Sequence, residues 1–90
     1  MAQNNKIIIT VSGTDKVGIV AKVATILSEL NVNIEDIKQT LMQGHFVMFM
    51  LCDITNSQNP FKEIKDKLQQ EGESFGVEVW VQRKEIFDTM

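Results

Sequence analysis

Residues 7–30 read IIITVSGTDKVGIVAKVATILSEL, and the change of rhythm in the middle of this stretch decides the fold. Ile7, Ile8, Ile9, Thr10 and Val11 are a β-branched run of the kind that forms a strand. Beyond Gly18, Ile19, Val20, Val23, Ala24, Ile26, Leu27 and Leu30 recur at intervals of three and four, the apolar face of a helix. Between them lie Ser12, Gly13, Thr14, Asp15 and Lys16, small and polar. Asp15 suits an N-cap, its carboxylate accepting from backbone N–H groups near Val17 or Gly18. Strand, tight loop and helix start together leave free amides and the positive end of the helix dipole facing whatever lies over the loop. Such a corner suits a small anion, for instance the carboxylate of an amino acid. Gly18, without a Cβ, lets a ligand or a neighbouring backbone come close. With no ligand, the same glycine and aspartate read as a turn and a cap.

Outward from this stretch, the first strand is predicted over Lys6 to Ser12, with apolar residues on both faces as in a central strand. The first helix is predicted over Val17 to Leu30, with Asn31 in the left-handed position after it. Residues 32–44, VNIEDIKQTLMQG, alternate imperfectly. Ile37 and Leu41 share a face with Asn33, Glu35 and Gln39; Val32, Ile34, Thr40 and Met42 share the other with Asp36 and Lys38. This predicts an edge strand carrying a bulge. Gln43-Gly44 is a hairpin turn. Residues 45–52, HFVMFMLC, are apolar on both faces and form a second central strand. After the TNSQNP loop, Asn59 is expected to cap a helix whose first residue is Pro60. Phe61, Ile64, Leu68 and Phe75 lie on its apolar face, and Lys62–Asp66 and Glu63–Lys67 pair on the wet side. Gly72 is either its stop or a weak point inside it, and Gly76 is the better stop. Residues 77–83, VEVWVQR, alternate strictly and form the last strand.

The order βαββαβ, with right-handed crossovers, predicts an α+β fold: a ferredoxin-like sandwich whose antiparallel four-stranded sheet has the order 4-1-3-2 and both helices on one face. The face left open would carry either Val47, Phe49 and Leu51 or Phe46, Met48 and Met50, joined by Ile8 and Trp80. A patch that apolar is rarely left bare on a soluble monomer, which predicts a homodimer or a larger assembly.

Ninety residues make one domain, here residues 6–84, flanked by a frayed polar start at residues 1–5 and a tail at residues 85–90. Hydrophobic residues are 43% and charged residues 23%, as in soluble globular chains. The net charge of −3 argues against nucleic acid or an acidic membrane as partner. Cys52 is the single cysteine, which leaves no internal disulfide and fits a reducing, cytoplasmic setting. MAQNNK lacks the apolar core of a signal peptide, and no apolar run approaches the ~20 residues of a membrane helix.

Catalytic groups are scarce. The first loop has no CxxC to hold a soft metal, and the only arginine, Arg83, lies at the end of the last strand, far from a phosphate loop. His45 is the single histidine, read as a surface residue, and Cys52 belongs to the core. No acid–base or nucleophile pair assembles from these, so a non-catalytic protein without a cofactor is expected. Phe46-Val47-Met48-Phe49 matches the tail of an RNA-binding RNP1 pattern. The preceding Met42-Gln43-Gly44-His45 lacks its basic residue, and the first strand lacks a stacking aromatic.

TDKVGIV at residues 14–20, followed by AKVATIL, and LNVNIEDI at residues 30–37 resemble the ACT domain, the small amino-acid-sensing regulatory module. The first stretch is similar to the family's D-[KR]-x-G-[IL]-[VLA] loop and helix, the second to its passage from first helix to second strand. The resemblance covers residues 6–84. Its full-length extent and its ending in IF and a methionine resemble small stand-alone bacterial ACT proteins related to the repeats of the glycine cleavage system transcriptional repressor. The resemblance implies a regulatory or sensing module that binds a small amino acid between the subunits of a homodimer. By position, Ser12, Gly13, Thr14, Asp15, Val17, Gly18 and Ile19 would form the loop side. Asn33, Ile34, Asp36 and Ile37 would form the second-strand side, supplied by the other subunit. Amides around Gly18 would hold the carboxylate, and Asp36 or Asp15 the α-ammonium. The residue before the glycine, often proline in the family, is Val17 here. The alternative function is a protein-interaction module that uses the apolar sheet face, acting on a regulatory protein partner without a small-molecule ligand.

Overall fold

Strand β1 (Lys6–Gly13) lies inside the sheet, antiparallel to β3 (His45–Asp53) on one side and to β4 (Glu78–Arg83) on the other. Strand β2 (Asn33–Met42) pairs with the far side of β3, so the order is β2-β3-β1-β4. Helices α1 (Lys16–Glu29) and α2 (Phe61–Phe75) complete the βαββαβ ferredoxin-like sandwich. These coordinates, a computed structural model, describe residues 5–14 and 16–85. The start and the tail expected from the sequence fall mostly outside them.

The helices choose between the two apolar faces of the central strands. Ile7, Ile9 and Val11 of β1, Phe46, Met48, Met50 and Cys52 of β3, and Val79 and Val81 of β4 are buried beneath Ile19, Val23, Ile26, Leu27, Ile64 and Leu68. The opposite face keeps Val47, Phe49 and Leu51, with Ile8 and Trp80; Phe49 is 39% and Trp80 49% exposed. Both helices end in the same way. Asn31 (φ 58°) and Gly76 (φ 76°) adopt left-handed backbone, and the amides of Val32 and Val77 reach back to Leu27 and Gly72 carbonyls at 2.9 Å. Gln43 and Gly44 both have positive φ, the hairpin turn expected between β2 and β3.

Two local expectations are corrected and one open alternative is decided. Pro60 is the extended N-cap of α2, which starts at Phe61; Asn59 Nδ2 donates to Glu63 Oε1 at 3.0 Å instead of capping. Lys62 pairs with Asp66 as expected, but Lys67 pairs with Glu71 at 3.6 Å, since Glu63 is engaged by Asn59. Gly72 lies inside α2, where a Cβ would come within 2.5 Å of Val79 Cγ2, so its missing side chain seats the helix on β4.

The bulge in β2 falls between Ile34 and Asp36. One extra residue reverses strand parity. The register therefore puts Ile34 on the helix side with Ile37, opposite Cys52 and Met50, and Asn33 on the open side with Asp36, opposite Asp53 and Leu51. Glu35, the extra residue, turns its carboxylate to Lys6 Nζ at 2.5 Å, and Asp53 lies 3.4 Å from the same ammonium. The hydrogen bond from Lys6 to Glu35 holds the Lys6 ammonium above the usual lysine range. The Thr55 hydroxyl and amide, both donating to Asp53, hold that carboxyl below the usual range.

Cys52 is fully buried and free. Burial pushes its thiol up to about 12, because the thiolate would have to form in the apolar core. Its folded pKa lies above the unfolded value of ~8.5. This contribution to stability is therefore complete below pH ~8.5 and fades as pH rises toward 12. At pH 8, Ellman's reagent is expected to leave the folded protein unmodified and to titrate one thiol once denaturant is added. Rapid reaction without denaturant would contradict the burial.

Candidate functional site

The corner where β1 passes into α1 is built by two glycines with different tasks. Gly13 is buried at the end of β1, opposite Phe46. A Cβ there would lie 2.6 Å from Val77 Cγ1 and 3.0 Å from Ile19 Cδ1, so Gly13 serves close packing. Gly13→Ala is accordingly expected to destabilise the fold by about 1–3 kcal/mol through overpacking, read as a lower urea midpoint. Gly18 differs. It stands exposed in the first turn of α1 without a left-handed backbone, and a Cβ there would meet nothing within 4 Å. Neither strain nor packing asks for a glycine at that position.

Gly18 lines two adjoining hollows. One, of about 220 Å³, is lined by Thr14, Gly18, Ile19, Lys22, Phe75, Gly76 and Val77. The other, of about 440 Å³, runs on between the helices past Ala21, Lys22, Thr25, Ile26, Glu29, Lys67 and Glu71. Lys22 belongs to both, and its Nζ stands 4.7 Å from the centroid of the Phe75 ring. A cation over an aromatic face, beside amides at a helix start, makes a surface for a small anionic or zwitterionic molecule. Lys22 and Phe75 were not among the residues expected from sequence. Lys22 follows Gly18 by four residues and so shares its helix face, a legible signal; Phe75 reads only as a core residue.

The remaining predicted residues are spread out. Thr14, Gly18 and Ile19 line the smaller hollow together. Ser12 does not join them, because its hydroxyl lies 2.5 Å from His45 Nε2 on the open sheet face. This pair also gives His45 a partner that sequence reading did not foresee. Asp15 and the side chain of Val17 lie outside the described residues. Asn33, Ile34, Asp36 and Ile37 sit toward the other end of the sheet. Asn33 shares a row with Asp53 and Lys6, whereas Gly13 shares one with Phe46 and Leu41. Seven residue steps separate these rows, about 23 Å at the rise of a strand. Asp36 Oδ1 accepts the Ile37 amide at 2.9 Å. One chain alone therefore does not bring the loop side and the second-strand side together.

The βαββαβ sandwich hosts many functions, so the family is read from the sequence itself. The model of the ACT domain matches residues 5–82, and the chain belongs to that family, whose members are generally regulatory, ligand-binding modules. A UPF0237 protein of Listeria innocua is 48% identical over 83 residues, covering 92% of this chain and 93% of its own length. A UPF0237 protein of the archaeon Methanocaldococcus jannaschii is 43% identical over 86 residues, covering 96% of each. Relatives of this chain are thus not confined to bacteria. An ACT domain protein from Streptococcus pneumoniae superposes with a TM-score of 0.81 at 35% identity, covering 94% of this chain and 96% of that one. A putative glycine cleavage system transcriptional repressor shares the fold with a TM-score of 0.76 at 10% identity, over 86% of this chain and 45% of its own. Among the described residues, no helix is long and apolar enough to cross a membrane.

Proposed function

We propose that this protein is a non-catalytic sensor that binds a small amino acid between two copies of the chain. The observation that carries the reading is Gly18, a glycine that the fold does not need, lining a hollow with Lys22 and Phe75 where α1 begins. The ligand's carboxylate lies against the amides and Lys22. Its other end meets the second-strand side of the other copy at Ile34 and Ile37, which lie on the same sheet face as the hollow. Two-fold pairing supports this division of labour. Among the described residues the outer edge of β2 pairs with no strand; it is ten residues long and shows Ile37 (39% exposed) and Leu41 (58% exposed) beside it. Such an edge favours a strand partner. Antiparallel pairing of β2 with its twin sets Asn33 of one copy near the Leu41 end of the other. The second copy's β1–α1 corner is then three strand spacings from that residue, about 14 Å.

The test is a thermal-shift screen against the twenty amino acids. One or a few close relatives are expected to raise the melting temperature in a concentration-dependent way, approaching ~2.7 kcal/mol at a hundred times the dissociation constant. A flat response to all twenty would contradict the proposal. The exposed Phe49 and Trp80 favour a second reading, a protein-interaction module that needs no small molecule. A stoichiometric complex with a heterologous regulatory protein, unaffected by any amino acid, would support that reading instead.

A further inference from the structure

The open face of the sheet takes no part in the site at Gly18, which lies on the helix side. Its residues fall into rows. Lys38, Phe49, Thr10 and Trp80 are in register across the four strands, and Thr40, Val47, Ser12 and Glu78 form the row two residues away. Below them Leu51 stands beside Ile8, and a hollow of about 250 Å³ there is lined almost wholly by apolar side chains with Lys38 and Asp36 at its rim. The centre is thus apolar, with a cation at the β2 border and an aromatic and an anion at the β4 border. Among the described residues Lys38 and Glu78 carry no ion pair.

We propose that a second copy of this chain covers the open face in a two-fold, strand-aligned, sheet-on-sheet contact. The pattern of charge selects both the occupant and the orientation. A two-fold axis parallel to the strands lays β2 of one copy over β4 of the other and β3 over β1. Lys38 then meets Trp80, with Glu78 within reach once the sheets take the ~30° angle of aligned packing. Phe49 meets Thr10, and Leu51 meets Ile8. The same contacts occur twice, as an isologous interface requires. An axis across the strands would instead lay β2 over β2 and β4 over β4, bringing Lys38 toward Lys38 and Glu78 toward Glu78, which like-charge repulsion disfavours. The face measures about 19 by 26 Å from strand spacing and rise, roughly 500 Å² before side-chain relief. With that relief it approaches the ~800 Å² per partner of a stable interface. This contact is separate from the β2-edge pairing behind the proposed function, since it leaves the Gly18 hollow untouched. Both together make a four-chain assembly; the face contact alone makes a dimer.

Sedimentation equilibrium of the full-length protein, with emission of Trp80, the only tryptophan, tests it. Wild-type protein is expected to associate through this face with Trp80 emission moving to the blue as concentration rises. Lys38→Glu and Glu78→Lys are each expected to weaken that step by more than about tenfold, because each sets like charges opposite one another. The double reversal is expected to recover most of the loss. Trp80 emission independent of concentration, single variants that associate like wild type, or a double variant no better than the singles would each overturn the proposal. The first of these outcomes would leave the face to a heterologous partner. Amino-acid-induced stabilisation is expected to persist in all these variants, which separates failure of this contact from failure of the sensor reading.

Discussion

Phe46→Ala is expected to lower the stability of the fold by about 3–5 kcal/mol, the range for emptying a buried aromatic site. Phe46 is only 2% exposed and is among the largest fully buried side chains. It stands at the end of β3 opposite Gly13, a position that supplies no side chain of its own. Truncation therefore leaves a void that Gly13 does nothing to fill, and the strands paired on both sides, β1 and β2, restrain collapse. For a domain of this size each kcal/mol moves the midpoint by ~4–8 °C, so a fall of more than about 12 °C is expected in calorimetry. A change under 1 kcal/mol would mean that the helix-side face is not where β3 buries its aromatic residue.

Gly18→Phe is expected to do the reverse: to keep the fold and remove the ligand. No backbone strain and no neighbour within 4 Å of its Cβ opposes a side chain there. Replacing a helical glycine even gains up to ~1 kcal/mol of helix propensity. The phenyl ring would occupy the hollow and cover the amides around the α1 start. The ~2.7 kcal/mol of stabilisation by saturating amino acid should vanish, while the unliganded melting temperature stays level or rises. Calorimetry with and without the amino acid separates the two effects. An unchanged ligand response would move the binding site away from Gly18.

The topology was legible in the sequence because the apolar rhythm changes cleanly at each joint, as at Gly13 to Ile19 and again at Pro60 to Ile64. Turn chemistry was equally plain: Asn31, Gly44 and Gly76 take the left-handed backbone that their side chains permit. The parity of β2 was not legible. A bulge could be expected from the broken alternation, but its place at Glu35 depends on the reach of that carboxylate to Lys6, twenty-nine residues earlier. Without that contact, Asn33 and Ile34 are assigned to the wrong faces. The site was half legible. Local spacing points to Thr14, Gly18 and Ile19, but Phe75 joins them only through the packing of α2 beside α1. Ser12 is drawn away by His45, a contact made across paired strands.

The central claim, one ligand site shared by two chains, is tested most directly by mixing two defective variants. Gly18→Phe removes the loop side, and Ile37→Trp crowds the second-strand side; neither variant alone is expected to respond to the stabilising amino acid. Unfolded together and refolded at equal amounts, half of the two-fold dimers are mixed, and each mixed dimer holds one intact site, so about a quarter of the wild-type binding capacity returns in calorimetry. No recovery in the mixture, or full binding by either variant alone, would contradict a shared site.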